Sequence, residues 1–160
     1  MDDALAFPWV LVTERSLDAG PIRKVLSNPK TGALVIFEGV ARDHYEGQEV
    51  LELAYEAFAP MAEKELMELR QQALHQFSLT GCAIHHRLGI VPLQEAAVII
   101  GTSSGHRSQA FQAAIWIMDE IKKHVPIWKR ERYCDGREAW VETQERFETA
   151  GEKEAPFKDS

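Results

Sequence analysis

Between Lys122 and Arg132, six of the eleven positions are Lys, Arg or His, and Glu131 is the one acid among them. The chain as a whole carries 18 Lys and Arg against 25 Asp and Glu, a formal charge of -7. A cationic cluster on an acidic protein points to an anionic ligand such as a phosphate or carboxylate. The plain alternative is a solvated helix end, where Lys and His offset the helix dipole. Lys122 follows Met118 by four residues, so on a helix it projects beside an apolar stripe, a setting that suits an amine to acid–base or nucleophilic work. Lys123 follows Asp119 by four and reads as an ordinary exposed ion pair. Beyond Pro126 a strand is expected. There Lys129 shares a face with Ile127 and Glu131, while Trp128, Arg130 and Arg132 share the other.

His106 and Arg107 form a second candidate. Helix N-terminal N–H groups, the dipole and an arginine together make an anion site; the alternative is an arginine whose stem covers apolar surface. Arg107 and Lys122 are fifteen residues apart, about 22 Å along a straight helix. One small ligand cannot touch both within one subunit. Either there are two sites, or a second copy of the chain brings its helix start beside this helix end, which predicts a homodimer with a shared pocket. Arg42 is a third candidate, leaving a strand just after Gly39, where backbone can approach a ligand closely; its alternative is a surface arginine.

These residues need elements to hold them. Phe111, Ala114, Met118, Ile121 and Val125 recur at helical spacing as one apolar stripe, with Ser103 or Ser104 as N-cap and Pro126 as the stop. Strands are expected at Trp9 to Thr13, Gly32 to Phe37, Leu51 to Tyr55 (pairing with the preceding strand), Ala83 to Leu88 and Ala96 to Thr102. Ile127 to Tyr133 and Glu138 to Val141 flank Asp135-Gly136, a hairpin turn signal. Asp18 to Ser27 reads as a short helix. A longer one opens at Pro60, with Ala62, Leu66, Leu69, Ala73 and Phe77 on its inner face. The order β-α-β-β-α-β-β-α-β-β implies an α+β or mixed α/β sandwich, helices packed on a largely antiparallel sheet. Residues 1–142 are expected to form one domain, and residues 143–160 a polar, loose tail.

Composition narrows the function. The overall acidity argues against nucleic acid as the main partner, and the longest apolar runs are far too short to cross a bilayer. The acidic N-terminus lacks the positive charge of a signal peptide, so the expected location is cytoplasmic. Cys82 and Cys134 show no ligand spacing and read as structural. His85 and His86 are adjacent on a strand and face opposite ways, so they do not readily hold one metal ion, and a structural role is expected for both. No nucleotide loop, serine elbow or zinc motif is present.

The chain resembles the large, catalytic subunit of molybdopterin synthase over roughly residues 32–142. The likeness rests on F-x-G-x-x-R from Phe37 to Arg42, Y-E-x-x-x-x-M-A from Tyr55 to Ala62, and H-R-x-G from His86 to Gly89. It rests most on HRSQAF at His106 to Phe111 and IMDEIKKHVPIWKRE at Ile117 to Glu131. The resemblance implies an α/β hammerhead-like fold and a sulfur transfer that uses no metal or other cofactor and no cysteine nucleophile. A small ubiquitin-like sulfur-carrier subunit would insert its C-terminal thiocarboxylate into a pocket holding cyclic pyranopterin monophosphate. Two sulfurs would be delivered to make the dithiolene of molybdopterin. The large subunit would be a homodimer with one small subunit at each outer end, a heterotetramer.

By motif position, the resemblance makes Lys122 and Lys129 catalytic, Lys122 acting on the thiocarboxylate and Lys129 polarising the pterin with Arg130 and Glu131 beside it. Arg42, His106 and Arg107 would hold phosphate, the last two from the opposite subunit, and Phe37 and Met118 would wall the pocket. The chain departs from the family pattern at Val40-Ala41, binding positions where a lysine or arginine is common. Two other readings of the basic cluster are a non-catalytic module that docks an acidic peptide tail, and an enzyme acting on another phosphorylated metabolite.

Overall fold

The computed structural model describes residues 6–45 and 47–142; the tail expected at 143–160 lies outside them. The described chain runs β1 (Val10–Thr13), α1 (Ala19–Leu26), β2 (Ala33–Val40), β3 (His44–Tyr45), β4 (Gln48–Glu56) and α2 (Ala59–Gln76). It continues with β5 (Gly81–Arg87), β6 (Gly89–Val91), β7 (Ala96–Ser104), α3 (Arg107–His124), β8 (Trp128–Tyr133) and β9 (Glu138–Glu142). This is an α+β fold, with two short strands, β3 and β6, that the sequence pattern did not reveal.

The strands form two sheets rather than one. The first has the order β1-β5-β7-β2, antiparallel except for the parallel β1–β5 pair. Strands β5 and β7 are buried along their whole lengths, as central strands covered on both faces must be. One face packs Cys82, Ile84, Val98 and Ile100 under α2 and α3, which present Ala62, Leu66, Ile117 and Ile121. The other face packs Ala83 and Ile99 against Ile22 and Leu26 of α1. Asp18 caps α1 by accepting a hydrogen bond from the Gly20 N–H at 2.9 Å, the arrangement that Asp at this position favours.

The second sheet is antiparallel, β3-β4-β8-β9, with β6 also paired to β4, on the edge away from β8. The expected pairing of the strand at Leu51 to Tyr55 with the one before it is therefore incorrect. Strand β2 is apolar and pairs with apolar β7, Phe37 opposite Ile100. Strand β4 carries Glu52, which is opposite Arg132 on β8 and lies 3.3 Å from it and 3.6 Å from Arg130. Cross-strand charge and apolar matching outweigh adjacency in sequence.

Two further details of α3 differ from expectation. Ser103 and Ser104 belong to β7, and His106 takes the N-cap position without a side-chain capping bond. The Ser104 hydroxyl instead donates to the His106 carbonyl. The buried stripe is Ala110, Ala113, Ala114, Ile117 and Ile121, while Phe111 and Ile115 are exposed. The small alanines let the helix sit close on the sheet. The helix ends at His124, with the Val125 N–H bonded to Ile121 O, one residue before Pro126, which cannot extend it.

Close packing of α1 depends on Gly101. A Cβ built there would lie 2.5 Å from Ile22 Cγ2 and 2.7 Å from Leu26 Cδ1, both fully buried. Gly101→Ala is expected to lower the unfolding free energy by about 1–3 kcal/mol through overpacking, read from urea denaturation midpoints. An unchanged midpoint would mean α1 moves off the sheet without cost.

Candidate functional site

The two sheets meet where β2 and β5 end, and the C-terminal turn of α3 closes over that joint. A cavity of about 210 Å³ opens there. Phe37, Met118, Ile121 and Ile127 supply apolar wall, and Lys122 and Lys129 supply charge. The turn at Pro126 brings the two lysines, one on a helix and one on a strand, to the same cavity. Lys122 is exposed, whereas the Lys129 side chain is only 13 % exposed. The pairing of β2 with β7 shifts register between Gly39 and Val40. A bulge of this kind re-aims the following residues, and Val40 turns onto the cavity rim, 55 % exposed. Gly39 has no room for a side chain, since a Cβ would come within 2.7 Å of Val98.

A smaller cavity of about 90 Å³ adjoins the first, sharing Val40, Tyr55 and Lys129, and is also lined by Arg42, His44 and Glu131. Lys129 therefore lies between the two. Its Nζ is 3.0 Å from Glu131 Oε1, and the Tyr133 hydroxyl donates to Glu131 Oε2 at 2.6 Å. Glu131 is 1 % exposed. A buried carboxylate is tolerated only with partners of this kind, and the three side chains follow at alternate positions on one face of β8 as the period of a strand requires. Next to Arg42, His44 Nδ1 is 2.6 Å from Asp43 Oδ1, and this hydrogen bond raises the imidazole pKa above its ordinary value.

The structure thus gathers Phe37, Val40, Met118, Lys122 and Lys129 around one cavity, and Arg42 and Glu131 around its neighbour. Four expected residues stand apart. Ala41 is buried in the core beside Val50 and Leu53, so its side chain faces no ligand. Arg130 is on the opposite face of β8 from Lys129, near Glu52 and 5.9 Å from the Trp140 ring. His106 and Arg107 are exposed at the far end of α3, a whole helix length from Lys122.

Of the two histidines expected to be structural, His85 faces the N-terminal segment and His86 the larger cavity. His85 Nε2 bonds the Pro8 carbonyl at 2.6 Å and its ring stacks on Phe7. His86 points the other way, lines the larger cavity and meets Tyr55 edge-on with ring centroids 5.2 Å apart. The signal was present in the sequence: strand alternation sends adjacent histidines to opposite faces, so they need not share a role. Among the described residues no group of three or more His, Cys, Asp or Glu is placed to hold a metal ion. Neither thiol is set up as a nucleophile. Burial pushes the Cys82 thiol up to about 12, and desolvation with the Glu49 carboxylate raises Cys134.

Fold and site together define an α+β protein with an apolar-walled cavity lined by two lysines. The model of the MoaE protein family matches residues 12–124. The chain is 44% identical over 120 residues to a molybdopterin synthase catalytic subunit of Aspergillus fumigatus, covering 75% of this chain and 64% of that one. It is 39% identical to the subunit of the same name from Culex quinquefasciatus, over 86% of this chain and 89% of the relative. The crystal structure of molybdopterin synthase from Staphylococcus aureus superposes with a TM-score of 0.79 at 32% identity, covering 84% of this chain and 98% of that one. The chain belongs to the MoaE protein family.

Burial holds His86 down to about 4, against an ordinary 6.5, with the hydrogen bond to the Arg87 carbonyl acting in the opposite direction. The folded pKa is depressed, so the unfolded chain binds the extra proton first. Stability is full above about pH 6.5 and falls as pH drops toward 4. The loss from this group is on the order of 3 kcal/mol. Urea midpoints of wild type and His86→Gln between pH 7 and pH 4 check it: the variant is expected to lose distinctly less stability across that window.

Proposed function

We propose that this protein is the catalytic subunit of a molybdopterin synthase, converting cyclic pyranopterin monophosphate to the dithiolene product with sulfur from a partner's C-terminal thiocarboxylate. The observation that carries the reading is the pair Lys122 and Lys129 on one apolar-walled cavity of a protein with net charge -7. Both reactants are anions. The larger cavity accepts an anion with an apolar body, and the smaller one places Arg42 beside it. In this reading Lys122, at the open side, meets the incoming thiocarboxylate and acts by charge or by proton transfer. Lys129, fixed by Glu131, binds and polarises the pterin. Phe37, Met118 and Val40 exclude water around them, which strengthens each charge interaction. The sulfur comes from the partner, so the chemistry calls for no metal or organic cofactor.

The sulfur donor is a small ubiquitin-like carrier subunit, and the relatives' name, catalytic subunit, fits a protein with at least one other kind of subunit. The location is cytoplasmic; no helix among the described residues is long and apolar enough to cross a membrane. His106 and Arg107 serve the site from a second copy, giving a homodimer of large subunits and a heterotetramer with two small ones. The length of α3, 18 residues or about 27 Å, supports this, because Arg107 cannot reach its own cavity. An apolar groove between β2 and α3, lined by Ile36, Phe37, Phe111 and Ile115, runs from the cavity along the helix and suits a subunit contact.

Lys122→Ala is expected to leave the protein folded and to cut dithiolene formation by at least about a hundredfold, measured with pyranopterin monophosphate and a thiocarboxylated partner. Binding of the partner tail without turnover in the wild type would instead indicate a docking module, and turnover of a phosphorylated metabolite without any sulfur donor a different enzyme. Mixing Arg107→Ala and Lys122→Ala subunits, each inactive alone, should restore about one quarter of the wild-type rate. In a twofold pair half the dimers are mixed, and each of those has one intact pocket. No recovery after subunit exchange would place Arg107 outside the pocket.

A further inference from the structure

The lysines of the larger cavity recognise charge but do not accept hydrogen bonds, since an ammonium only donates. His86 differs. Its Nδ1 lies 2.8 Å from the Arg87 carbonyl oxygen, which only accepts, so Nδ1 carries the ring proton and Nε2 is left as an acceptor. His86 is 4 % exposed and is one of the residues that line the larger cavity. Among the described residues, the sealed side-chain atoms lacking a partner are Arg87 Nε, Gln109 Oε1 and Arg132 Nε. Nε2 of His86 is not among them, and among the described residues it has no hydrogen-bond partner, so its lone pair is left for the cavity the side chain lines. Tyr55, edge-on to the ring, and the Arg87 carbonyl fix its orientation.

We propose that His86 is a specificity-determining residue of this site, whose Nε2 accepts a hydrogen bond from an N–H or O–H donor on the heterocyclic body of the ligand. The assignment rests on the functional reading above, in which that body is a pterin. A sulfate or an aliphatic carboxylate has the charge for the lysines but no donor for this lone pair. Such a ligand leaves a buried acceptor unsatisfied on binding, which is how a polar pocket rejects near-matches strongly. His86 thus reads the part of the ligand the lysines do not, and burial, which keeps the ring uncharged down to about pH 4, preserves the acceptor throughout the neutral range.

The test uses the purified dimer and cyclic pyranopterin monophosphate alone, without sulfur donor. Titration should move the nitrogen NMR resonance of His86 Nε2 in the direction of an accepted hydrogen bond, and inorganic sulfate, which has no donor, should leave it in place. His86→Leu should weaken pterin phosphate binding by about tenfold or more, with sulfate binding unchanged. His86→Gln, whose amide oxygen reaches the Nε2 position, should recover most of the affinity. If wild type binds the pterin phosphate and the Nε2 resonance does not move, His86 is a packing residue and this assignment fails alone. If wild type does not bind it at all, the functional reading fails and takes the assignment with it.

Discussion

Glu131 is the charge on which the site depends. It is a carboxylate at 1 % exposure, and taking such a group out of water costs several kcal/mol unless its oxygens are matched. Lys129 matches one oxygen at 3.0 Å and Tyr133 the other at 2.6 Å. The arrangement works in both directions. The carboxylate gives Lys129 a fixed partner, although that side chain is largely buried itself, and the lysine makes the carboxylate tolerable. All three residues are at alternate positions on β8, so the strand's own period delivers the geometry, and the pairing of β8 with β4 holds it in place.

A net charge of -7 does not prevent such a pocket from attracting anions. Exposed charges more than about 8 Å away are largely screened at physiological ionic strength. A contact at 4 Å in a partly buried site is worth about 4 kcal/mol at an effective dielectric near 20. The local pair therefore outweighs the distant excess of acid. The same contrast gives a reason for the arginines on the other face of β8. Arg130 and Arg132 are taken up by Glu52, so the cationic run splits by strand face into residues that serve the cavity and residues that tie β8 to β4.

That split was legible in the sequence, because alternation along a strand needs no knowledge of the partner. Placing Lys122 beside an apolar stripe and Lys129 with Glu131 was legible for the same reason, and so was helix α2, whose inner face Ala62, Leu66, Leu69 and Ala73 is buried as its spacing indicates. What depended on distant contacts was not legible. The partner of β4 was decided by Glu52 meeting Arg132, and their separation in sequence leaves no local mark. Phe111 looked like core and is exposed, because α3 rests on the sheet through alanines and a periodic pattern does not distinguish a face that meets the sheet from one left for another surface. Strand β6 has three residues, too few for alternation to stand out. Arg130 followed its motif into the proposed site, and strand geometry places it on the reverse side.

The site's location at a joint also determines which anions it suits. A helix end alone binds phosphate through charge and N–H groups, and is indifferent to what the phosphate is attached to. Here the charges sit on walls formed by both sheets and by α3, and burying apolar surface contributes roughly 25 cal/mol per Å² removed from water. A small inorganic anion gains only the charge contacts and still loses part of its hydration. A ligand with a flat apolar body gains the walls as well. The bulge at Gly39 and Val40, the chain reversal at Pro126 and the edge-on Tyr55 are all local geometry, yet each turns a different element toward the same cavity. In the proposed reading, selectivity for a heterocyclic anion over a simple one follows from bringing sheet, helix and hairpin together, which no single element provides.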